Sequence, residues 1–409
     1  MKWEKVKLGD IATFSNGINF NKTAYAKGIK LIGVSNFGDR FYPDYSQLQE
    51  VKKNIVRPED CLRNGDIVFV RSNGNKELVG RCMLVKNPTE RVTYSGFCIR
   101  ARLNDTDRYD PVYFTYYFKS KAFRRAVSGT AVGANIQNLS QARLSNHECR
   151  IPSIEVQHRI ADILSVYDDL IENNQKQIKL LEEAAQRLYK EWFVDLRFPG
   201  RENTKIVDGV PEGWNWCKLE DAIQFDPKVT LTKERMKQFI PMSALSTSSM
   251  VLDESQFTET TSNSGSKFQN GDTLLARITP CLENGKTAYV SGLKSDEGAV
   301  GSTEYIVMRA KTINSYMVYL LARTDDFRQS AINSMSGSDG RQRVKSDKLK
   351  MLDYLHPTSE LVEKFENVEE PIFEKIYRLS KQMQQAKQAR DLLLPKLMSG
   401  GVTLWQTST

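Results

Sequence analysis

Residues 160–192 alternate four- and three-residue steps between apolar side chains, and this pattern constrains the fold more than any other. The positions are Ile160, Leu164, Tyr167, Ile171, Asn174, Ile178, Leu181, Ala185, Leu188 and Trp192, and nine of the ten are apolar. Such spacing is the a/d seam of a coiled coil. If residues 155–193 form one helix, it is about 58 Å long at about 1.5 Å per residue. A helix of that length needs a partner to bury its stripe, and Asn174, the polar exception, predicts a device that fixes register or orientation.

The chain also matches itself at an offset of roughly 204–211 residues. "WEKVKLGDIATF" (3–14) matches "WNWCKLEDAIQF" (214–225), and "LRNGDIVFVR" (62–71) matches "FQNGDTLLAR" (268–277). A third block, 113–130, resembles 319–338. Each copy ends in a proline, Pro152 or Pro357, followed by a long helical pattern. The sequence therefore predicts a duplicated unit in which a globular domain precedes a helix.

The second copy supplies a partner for the first helix. Its apolar stripe consists of Ile376, Leu379, Met383, Ala386 and Leu393, and Arg390 interrupts it. We expect Pro371 in the first turn of this helix, after a short helix around 360–369, and Pro395 to end or kink the seam. An intramolecular antiparallel pair is favoured over a homodimeric coiled coil, because the duplication places two such helices in one chain.

Composition narrows the function classes. No run approaches the ~18 apolar residues of a membrane helix, and "MKWEKVKLGDIATF" lacks the apolar core of a signal peptide. The six cysteines form no CxxC pair and the three histidines stand far apart, which favours reduced thiols in the cytoplasm and no metal site. Residues 1–150 carry 25 Lys and Arg against 14 Asp and Glu, whereas residues 151–196 carry 5 against 9. A basic block beside an acidic one indicates a polyanion-binding domain next to a protein-facing segment, although a solvated lysine-rich surface is the alternative.

Two catalytic interpretations are weak. Gly285-Lys286-Thr287 ends like a phosphate-binding P-loop, but Pro280 occupies the first glycine position and the following "TAYVSG" is typical of a strand. Asp66 and Glu77 beside Lys76 resemble a nuclease set only loosely. Instead, Asn-Gly-Asp followed by "IVFV" or "TLLA" predicts a turn and a half-buried strand, which places Lys76 and Lys286 on loops beside Arg71 and Arg277.

The run "IPSIEVQHRIADILSVYDDLIENNQKQIKLLEEAAQRLYKEWFVDL" resembles the central conserved region of the specificity subunits of type I restriction-modification systems. "ARITPCLENGKTA" is similar to a loop motif of their target-recognition domains, and "LLLPKLMSGGV" to their C-terminal end. The resemblance covers essentially the whole chain in the family's order.

The resemblance implies an α+β fold with internal duplication and pseudo-two-fold symmetry. Two mixed α/β target-recognition domains are joined by long helices that pair as an antiparallel coiled coil. The corresponding segments are recognition domain 1 (1–152), a central helix (153–196), a linker with recognition domain 2 (197–356) and a C-terminal helical segment (357–409). A helix of about 58 Å exceeds one DNA turn of about 34 Å, so domains at its ends could reach half-sites a turn apart.

The resemblance also implies a chain that is not a catalyst. Each recognition domain reads one half of a bipartite site in double-stranded DNA, and modification (methyltransferase) subunits dock around the helices. Those partners use S-adenosylmethionine to methylate adenine, and a restriction (motor and nuclease) subunit uses ATP and Mg²⁺, so we expect no cofactor on this chain itself. The alternative is a coiled-coil scaffold or regulatory relative that does not bind DNA sequence-specifically.

Cations and amides on the predicted loops are the candidate DNA contacts, because arginine and asparagine or glutamine read guanine and adenine edges and also bind phosphate. The candidates in the first domain are Arg71, Asn73, Lys76, Arg124, Arg125, Gln137 and Asn138. The candidates in the second domain are Arg277, Thr279, Asn284, Lys286, Arg341, Gln342 and Arg343. For each basic residue the alternative is a solvated surface charge.

Overall fold

The computed structural model describes residues 3–38, 40–73, 78–128, 138–338 and 340–401. The chain folds into two units: Met1–Glu172 with Gln384–Thr409 form the first, and Asn173–Met383 form the second. Both long helices therefore contribute residues to both units.

Two sheets and a strand pair build the first unit. Its strands are β1 (Glu4–Lys7), β2 (Ala12–Asn16), β3 (Tyr25–Ile32), β4 (Gln49–Val51), β5 (Ile67–Val70), β6 (Cys82–Leu84), β7 (Val92–Tyr94), β8 (Cys98–Leu103) and β9 (Glu148–Ile151). Its short helices are α1 (Leu8–Ile11), α2 (Pro111–Lys119), α3 (Lys121–Ser128) and α4 (Gln141–Ser145). The strand orders are β2-β8-β5-β6, β4-β3-β7 and β1-β9. All neighbours pair antiparallel except β3 and β7.

The second unit repeats this plan. Its strands are β10 (Ile206–Val207), β11 (Val210–Pro211), β12 (Asn215–Lys218), β13 (Ile223–Phe225), β14 (Lys237–Ile240), β15 (Thr258–Thr260), β16 (Ser266–Phe268), β17 (Thr273–Ala276), β18 (Thr287–Tyr289), β19 (Ala299–Gly301), β20 (Tyr305–Ala310) and β21 (Asp353–His356). Its short helices are α6 (Leu219–Ala222), α7 (Ser315–Ala322), α8 (Asp325–Asn333) and α9 (Ser346–Lys350). The orders β13-β20-β17-β18, β15-β14-β19-β16 and β12-β21 reproduce those of the first unit, with β16 added and with a β10-β11 hairpin.

Equivalent helix caps confirm the duplication. The side chain of Asp110 accepts from the backbone N–H of Val112 at the start of α2, and Asn314 caps α7 in the same way. In addition, Thr324 caps α8 through the N–H of Phe327. Because aspartate, asparagine and threonine satisfy the free N–H groups of a first helical turn, each copy starts its helices at corresponding positions.

The central strand of each unit divides the core into two layers. In β5, Ile67 and Phe69 belong to the apolar cluster that includes α2 and α3. Val68 belongs to a different cluster, which includes residues of the β4-β3-β7 sheet. In β17, Leu275 and Leu274 divide in the same way. Successive strand residues point to opposite faces, so a wholly apolar strand is one that is covered on both sides.

The long helices are α5 (Ile154–Tyr189), which continues into a π-helical stretch at Lys190–Val194, and α10 (Ser359–Met398). In the second unit the amide of Asn174 donates to Gln382 Oε1 at 2.9 Å and to the Leu379 carbonyl at 3.4 Å. Farther along α5, the ring of Trp192 packs 5.4 Å from that of Phe365. These contacts confirm an antiparallel pair within this unit and a buried Asn174 in its seam.

The predicted seam is buried or half-buried throughout. Ile160, Leu164, Ile171, Ile178, Ala185, Trp192, Ile376, Leu379 and Ala386 are buried. Tyr167, Leu181, Leu188, Met383 and Leu393 are half-buried. The break predicted at Arg390 holds a charged contact within the first unit, since Arg390 Nη1 donates to Asp168 Oδ1 at 2.5 Å.

The predicted interruption at Pro371 is wrong, because α10 runs unbroken through Pro371 and through Pro395. Each proline removes one backbone N–H donor from the helix. Pro371 and Asn367, four residues before it, are both exposed, as are Pro395 and Asp391. The carbonyl that loses its donor can therefore be hydrated, while the buried face continues to Leu397.

No helix within the described ranges combines the length and apolar character needed to span a bilayer.

Candidate nucleic-acid interface

Arg71 and Arg277 occupy equivalent positions at the ends of β5 and β17. The N–H of Arg71 donates to the Phe97 carbonyl at 2.8 Å, and its carbonyl accepts from Leu139 at 2.8 Å. In the same way, the N–H of Arg277 donates to the Glu304 carbonyl at 3.0 Å, and the Arg277 carbonyl accepts from the Val344 N–H at 2.9 Å. Two backbone contacts of the same kind thus hold each arginine beside a segment that is distant in sequence.

Those contacts gather the predicted residues into one surface in each unit. An isolated bridge joins Ser72 to Asn138 in the first unit, and another joins Ile278 to Arg343 in the second. The N–H of Thr279 also donates to the Gln342 carbonyl at 3.1 Å. Candidates that the sequence places more than sixty residues apart are therefore neighbours. Lys76 and Gln137 lie outside the described residues.

The Asn-Gly-Asp turn before each central strand is structural. Gly65 and Gly271 have φ values of 88°, which a residue with a Cβ rarely adopts. The following Asp66 is buried, and its carboxylate accepts two hydrogen bonds of 2.7 Å from Arg102. Asp272 is held in the same way by Arg309. Because Asp66 is fully engaged by its arginine, it does not supply a free carboxylate for a nuclease centre.

The first unit's candidates differ in their freedom to contact a ligand. Arg71 is half-buried, and its Nη1 donates to the Gly96 carbonyl at 3.2 Å. Arg124 is also half-buried and donates to the Val79 carbonyl at 3.2 Å. Arg125 and Asn138 are exposed, and Asn73 is half-buried. The arginines on β5 and α3 are thus partly oriented by the fold before any ligand binds.

In the second unit, Lys286 and Arg343 each have a protein partner. The Lys286 ammonium donates to the Met242 carbonyl at 2.8 Å. Arg343 makes a forked ion pair with Glu304, with Nη2 2.7 Å from the carboxylate. The hydrogen bonds from Arg343 lower the pKa of the Glu304 carboxyl against the opposing effect of burial, and the charge of Arg277 adds to the lowering. Asn284 and Arg341 remain exposed, and Gln342 is half-buried.

The Gly-Lys-Thr segment is not a P-loop. Lys286 lies at the end of the loop between β17 and β18, where its carbonyl accepts from Ala276 at 3.0 Å. A strand, Thr287–Tyr289, follows it instead of a helix. The predicted strand is confirmed, and the backbone cradle that a nucleotide would require is not formed.

Two polar atoms beside this loop are buried without a hydrogen-bond partner among the described residues. They are Nε of Arg277 and Oγ1 of Thr279. Buried polar groups are normally paired, so such atoms point to a ligand or solvent contact. Both residues belong to the predicted set.

Phe97 was missed by the sequence analysis. It occupies the position of Glu304 in the other unit, and 63% of its surface is exposed beside Arg71. A single phenylalanine in "YSGFC" carries no periodic signal, so only the fold brings it to the recognition surface.

No group of His, Cys, Asp and Glu side chains within the described parts of the chain is arranged as a metal site. All six cysteines lie in those parts and are unpaired.

Comparisons with known proteins agree with this geometry. Residues 1–183 match the family model described as "Type I restriction modification DNA specificity domain". The type I restriction enzyme MjaIX specificity subunit of Methanocaldococcus jannaschii is 27% identical, over 79% of this chain and 75% of that protein. The HindI specificity subunit of Haemophilus influenzae is 22% identical over 98% and 99% of the two chains.

The fold agrees as well. The crystal structure of the S subunit of a type I restriction-modification system from M. genitalium superimposes with a TM-score of 0.57 at 15% identity, covering 97% of this chain and 96% of the other. The duplicated α+β units with long helices are thus a known architecture. The chain is thus similar to specificity subunits of type I restriction-modification systems over most of its length, and its residues 1–183 match the DNA specificity domain of that family.

Proposed function

We propose that this chain is the DNA sequence-specificity subunit of a type I restriction-modification complex. Each unit reads one half of a bipartite site in double-stranded DNA. The observation that carries the proposal is the pair of equivalent arginines, Arg71 and Arg277, each held by matching backbone contacts at a surface rich in cations and amides. Arginine is suited both to phosphate and to the O6 and N7 edge of guanine.

The two surfaces carry different side chains on one scaffold. Phe97 stands in the first unit where Glu304 binds Arg343 in the second. A duplicated frame with dissimilar recognition residues suits two unlike half-sites, so the proposed target is asymmetric.

The long helices are proposed to dock the modification subunits. Apolar side chains on their outer faces are exposed: 66% for Val166, 64% for Leu180 and 68% for Leu392. Segment 151–196 is acidic, with 9 Asp and Glu against 5 Lys and Arg. Exposed apolar side chains together with acidic ones offer a partner subunit both apolar and charged contacts.

The methylation and cleavage reactions are proposed to take place on the partner subunits. The modification subunits are proposed to methylate adenine with S-adenosylmethionine, and a restriction subunit to use ATP and Mg²⁺. This chain is proposed to bind none of these cofactors and to act in the cytoplasm. A scaffold without sequence-specific DNA binding is the second candidate function, and it predicts no methylation motif.

Methylation mapping distinguishes the two functions. A host genome is sequenced with single-molecule detection of modified bases after expression of this chain with its modification subunits, and without this chain as the control. The expected result is a new bipartite motif with modified adenine in each half. Absence of any motif, although the chain co-purifies with the methyltransferase, would contradict the proposal.

A domain exchange then tests the assignment of halves. Replacing residues 1–150 by the recognition domain of another specificity subunit is expected to change one half of the motif. The other half, and the number of base pairs between the two modified adenines, should stay the same. A motif that changes in both halves would show that the units do not read independently.

Phe97→Ala is expected to leave stability within about 0.5 kcal/mol, because the ring is mostly exposed. We expect the affinity for the cognate duplex to fall about tenfold, which corresponds to about 1.4 kcal/mol, through loss of an apolar contact to a base. Fluorescence anisotropy with a labelled duplex measures the affinity, and thermal melting measures the stability. Trp216→Ala is the matched control, since 62% of Trp216 is exposed on β12. Equal effects of the two variants would contradict the assignment.

A further inference from the structure

A groove of about 620 Å³ lies beside β20 in the second unit. Its lining includes Asp226, Lys228, Lys233, Asn263, Lys267 and Arg277, and it is called the lysine groove below. It contains Arg277, the residue with the unpaired Nε, and otherwise none of the residues named above as DNA contacts.

The groove arises where β13 ends early. The last paired residue is Phe225, after which Asp226 adopts a φ of 48°. An aspartate tolerates this left-handed conformation better than most residues, and it turns the chain away from the sheet. Pro227, which follows, has no N–H with which to continue the ladder. Asp226 still holds Val307, through its own N–H at 2.7 Å and through its side chain, and beyond this contact Tyr305 of β20 forms part of the groove wall.

In the first unit, the corresponding segment after β2 stays close to the sheet. There β2 continues to Asn16, which pairs with Ile99. Ile18 then donates to the Tyr94 carbonyl at 2.9 Å and accepts from Gly96 at 2.7 Å. A Cβ on Gly17 would stand only 2.2 Å from the Tyr94 carbonyl oxygen, so the chain is tightly packed there. The backbone path after the second strand therefore differs between the two units.

The groove is positively charged. Lys228, Lys233 and Lys267 form no ion pair among the described residues. Asp226 is the one carboxylate of the lining, and its oxygens accept hydrogen bonds from the Val307 N–H and the Ser346 hydroxyl. Three ammonium groups and the Arg277 guanidinium thus face a carboxylate that is already engaged, and such a surface attracts a polyanion.

Buried polar contacts fix the walls. The ammonium of Lys237, a buried residue, donates to the Thr232 carbonyl at 2.9 Å, to the Thr261 carbonyl at 3.2 Å and to Asn263 Oδ1 at 2.5 Å. Asn263 in turn donates to the Leu231 carbonyl at 3.1 Å. The segments that carry Lys228, Lys233 and Lys267 are thereby tied together before any ligand arrives, which reduces the ordering free energy that binding must overcome.

We propose that the lysine groove binds the DNA backbone of the second half-site, with Lys228, Lys233 and Lys267 on phosphates and Arg277 at a base edge. This inference rests on the proposed function and adds the positioning surface of one half-site. Phosphate contacts set the register of a protein on the duplex, and base contacts specify the sequence. A groove lined by three lysines and a single arginine provides both.

The first test measures salt dependence. The full chain in complex with its modification subunits is titrated with a duplex carrying the mapped motif and with a duplex in which both halves are scrambled, over a range of salt concentrations. The triple variant Lys228→Ala, Lys233→Ala, Lys267→Ala is expected to weaken binding to both duplexes by similar factors. The slope of log affinity against log salt should fall by about 1 for each lysine lost.

Lys205→Ala is the control, because Lys205 is exposed in the same unit and is not part of the groove lining. It should keep the wild-type slope. A triple variant with the wild-type slope on both duplexes would overturn the groove proposal, even where wild type produces a methylation motif. Loss of binding to the motif duplex alone would also overturn it, because phosphate contacts do not discriminate sequence.

The second test concerns Arg277. Arg277→Lys keeps the charge and loses the planar fork, so the mapped motif should become degenerate at one position of one half while the other half is unchanged. An unchanged motif would refute the base contact. If wild type binds both duplexes equally and gives no motif, the proposed function fails instead, and the salt slopes still decide whether the groove holds DNA.

Discussion

Asp168→Ala is expected to destabilise the first unit by about 3–5 kcal/mol, because it removes one partner of a buried ion pair. The Asp168 carboxylate accepts from Arg390 Nη1 at 2.5 Å and from the Tyr116 hydroxyl at 2.6 Å. Asp168 is buried, and the Arg390 side chain is only 16% exposed. The variant would leave the Tyr116 hydroxyl without this acceptor and the guanidinium paired only with Asp391, whose side chain is exposed.

The measurement is urea unfolding of the full chain, together with hydrogen exchange of residues 154–172 to localise the effect. Asp169→Ala is the matched control, since Asp169 is the exposed neighbour on the same helix, and it should change stability by less than about 0.5 kcal/mol. A similar loss in both variants would contradict the assignment to the ion pair.

The duplication provides a compensating variant. An offset of 205 residues, set by Pro152 and Pro357, relates Asp168 to Phe373 and Ala185 to Arg390. Asp168→Phe combined with Arg390→Ala copies the apolar pair of the second unit. Since apolar replacement of a buried ion pair is often neutral or stabilising, the double variant should recover most of the stability lost in Asp168→Ala.

Glu369→Leu is expected to raise stability above neutral pH and to flatten its pH dependence. Glu369 is fully buried on α10, and both carboxylate oxygens have no hydrogen-bond partner among the residues that the structure describes. Burial raises its pKa from 4.5 to about 7. Leucine is the residue at the equivalent position of α5, Leu164, which is also buried.

The sign follows from proton binding. Between about pH 4.5 and pH 7 the unfolded chain has released a proton that the folded chain retains, so stability falls as the pH rises through this window. Above about pH 7 the Glu369 carboxyl is ionised in both the folded and the unfolded chain, and its burial lowers the free energy of unfolding by about 3 kcal/mol. Below about pH 4.5 both states are protonated and the penalty vanishes.

Urea unfolding at intervals from pH 4.5 to pH 8 tests this dependence. The difference between Glu369→Leu and wild type should grow by about 3 kcal/mol across the window. Glu370→Gln, a change at the exposed adjacent residue, should give a curve parallel to that of wild type. Parallel curves for Glu369→Leu and wild type would show that Glu369 remains ionised throughout.

The regular parts of the fold were predictable because local patterns encode them. The four-three spacing from Ile160 to Trp192 predicted a buried seam, and Asn174 was correctly identified as its polar position. The repeated Asn-Gly-Asp turn followed by apolar residues predicted β5 and β17. The prediction that these strands are half-buried is wrong, because all four residues of each strand are buried between two layers. The positions of Arg71 and Arg277 at the ends of β5 and β17 followed from those strands, and their contact with DNA stays a prediction.

Other features depend on contacts between distant residues. Arg390 was noted as a break in the seam, but Asp168 lies beside the predicted stripe, and nothing local pairs it with a residue over two hundred positions away. The continuity of α10 through Pro371 depends on which side of the helix faces solvent. That orientation is set by the buried positions around it, such as Phe365 and Ile376.

The surface proposed to contact DNA was predicted least completely. Lys228, Lys233 and Lys267 lie on three separate segments and carry no motif, so only the fold of the second unit assembles them. Lys286 was correctly placed on a loop beside Arg277, whereas the proximity of Arg343 to this loop comes from the fold. Their hydrogen bonds to Met242 and Glu304 could not be inferred from sequence.

The turn at Asp226 and Pro227 has a consequence for how such proteins diversify. Asp226 and Pro227 end the pairing of β13 with β20, while Phe225 keeps its place in the interior. Under the proposed role of the lysine groove, a change at this turn alters the DNA-facing surface while the core residues keep their places, so few substitutions separate unlike targets. Substitutions at strand ends can therefore change specificity without loss of the packed core on which the stability of the domain depends.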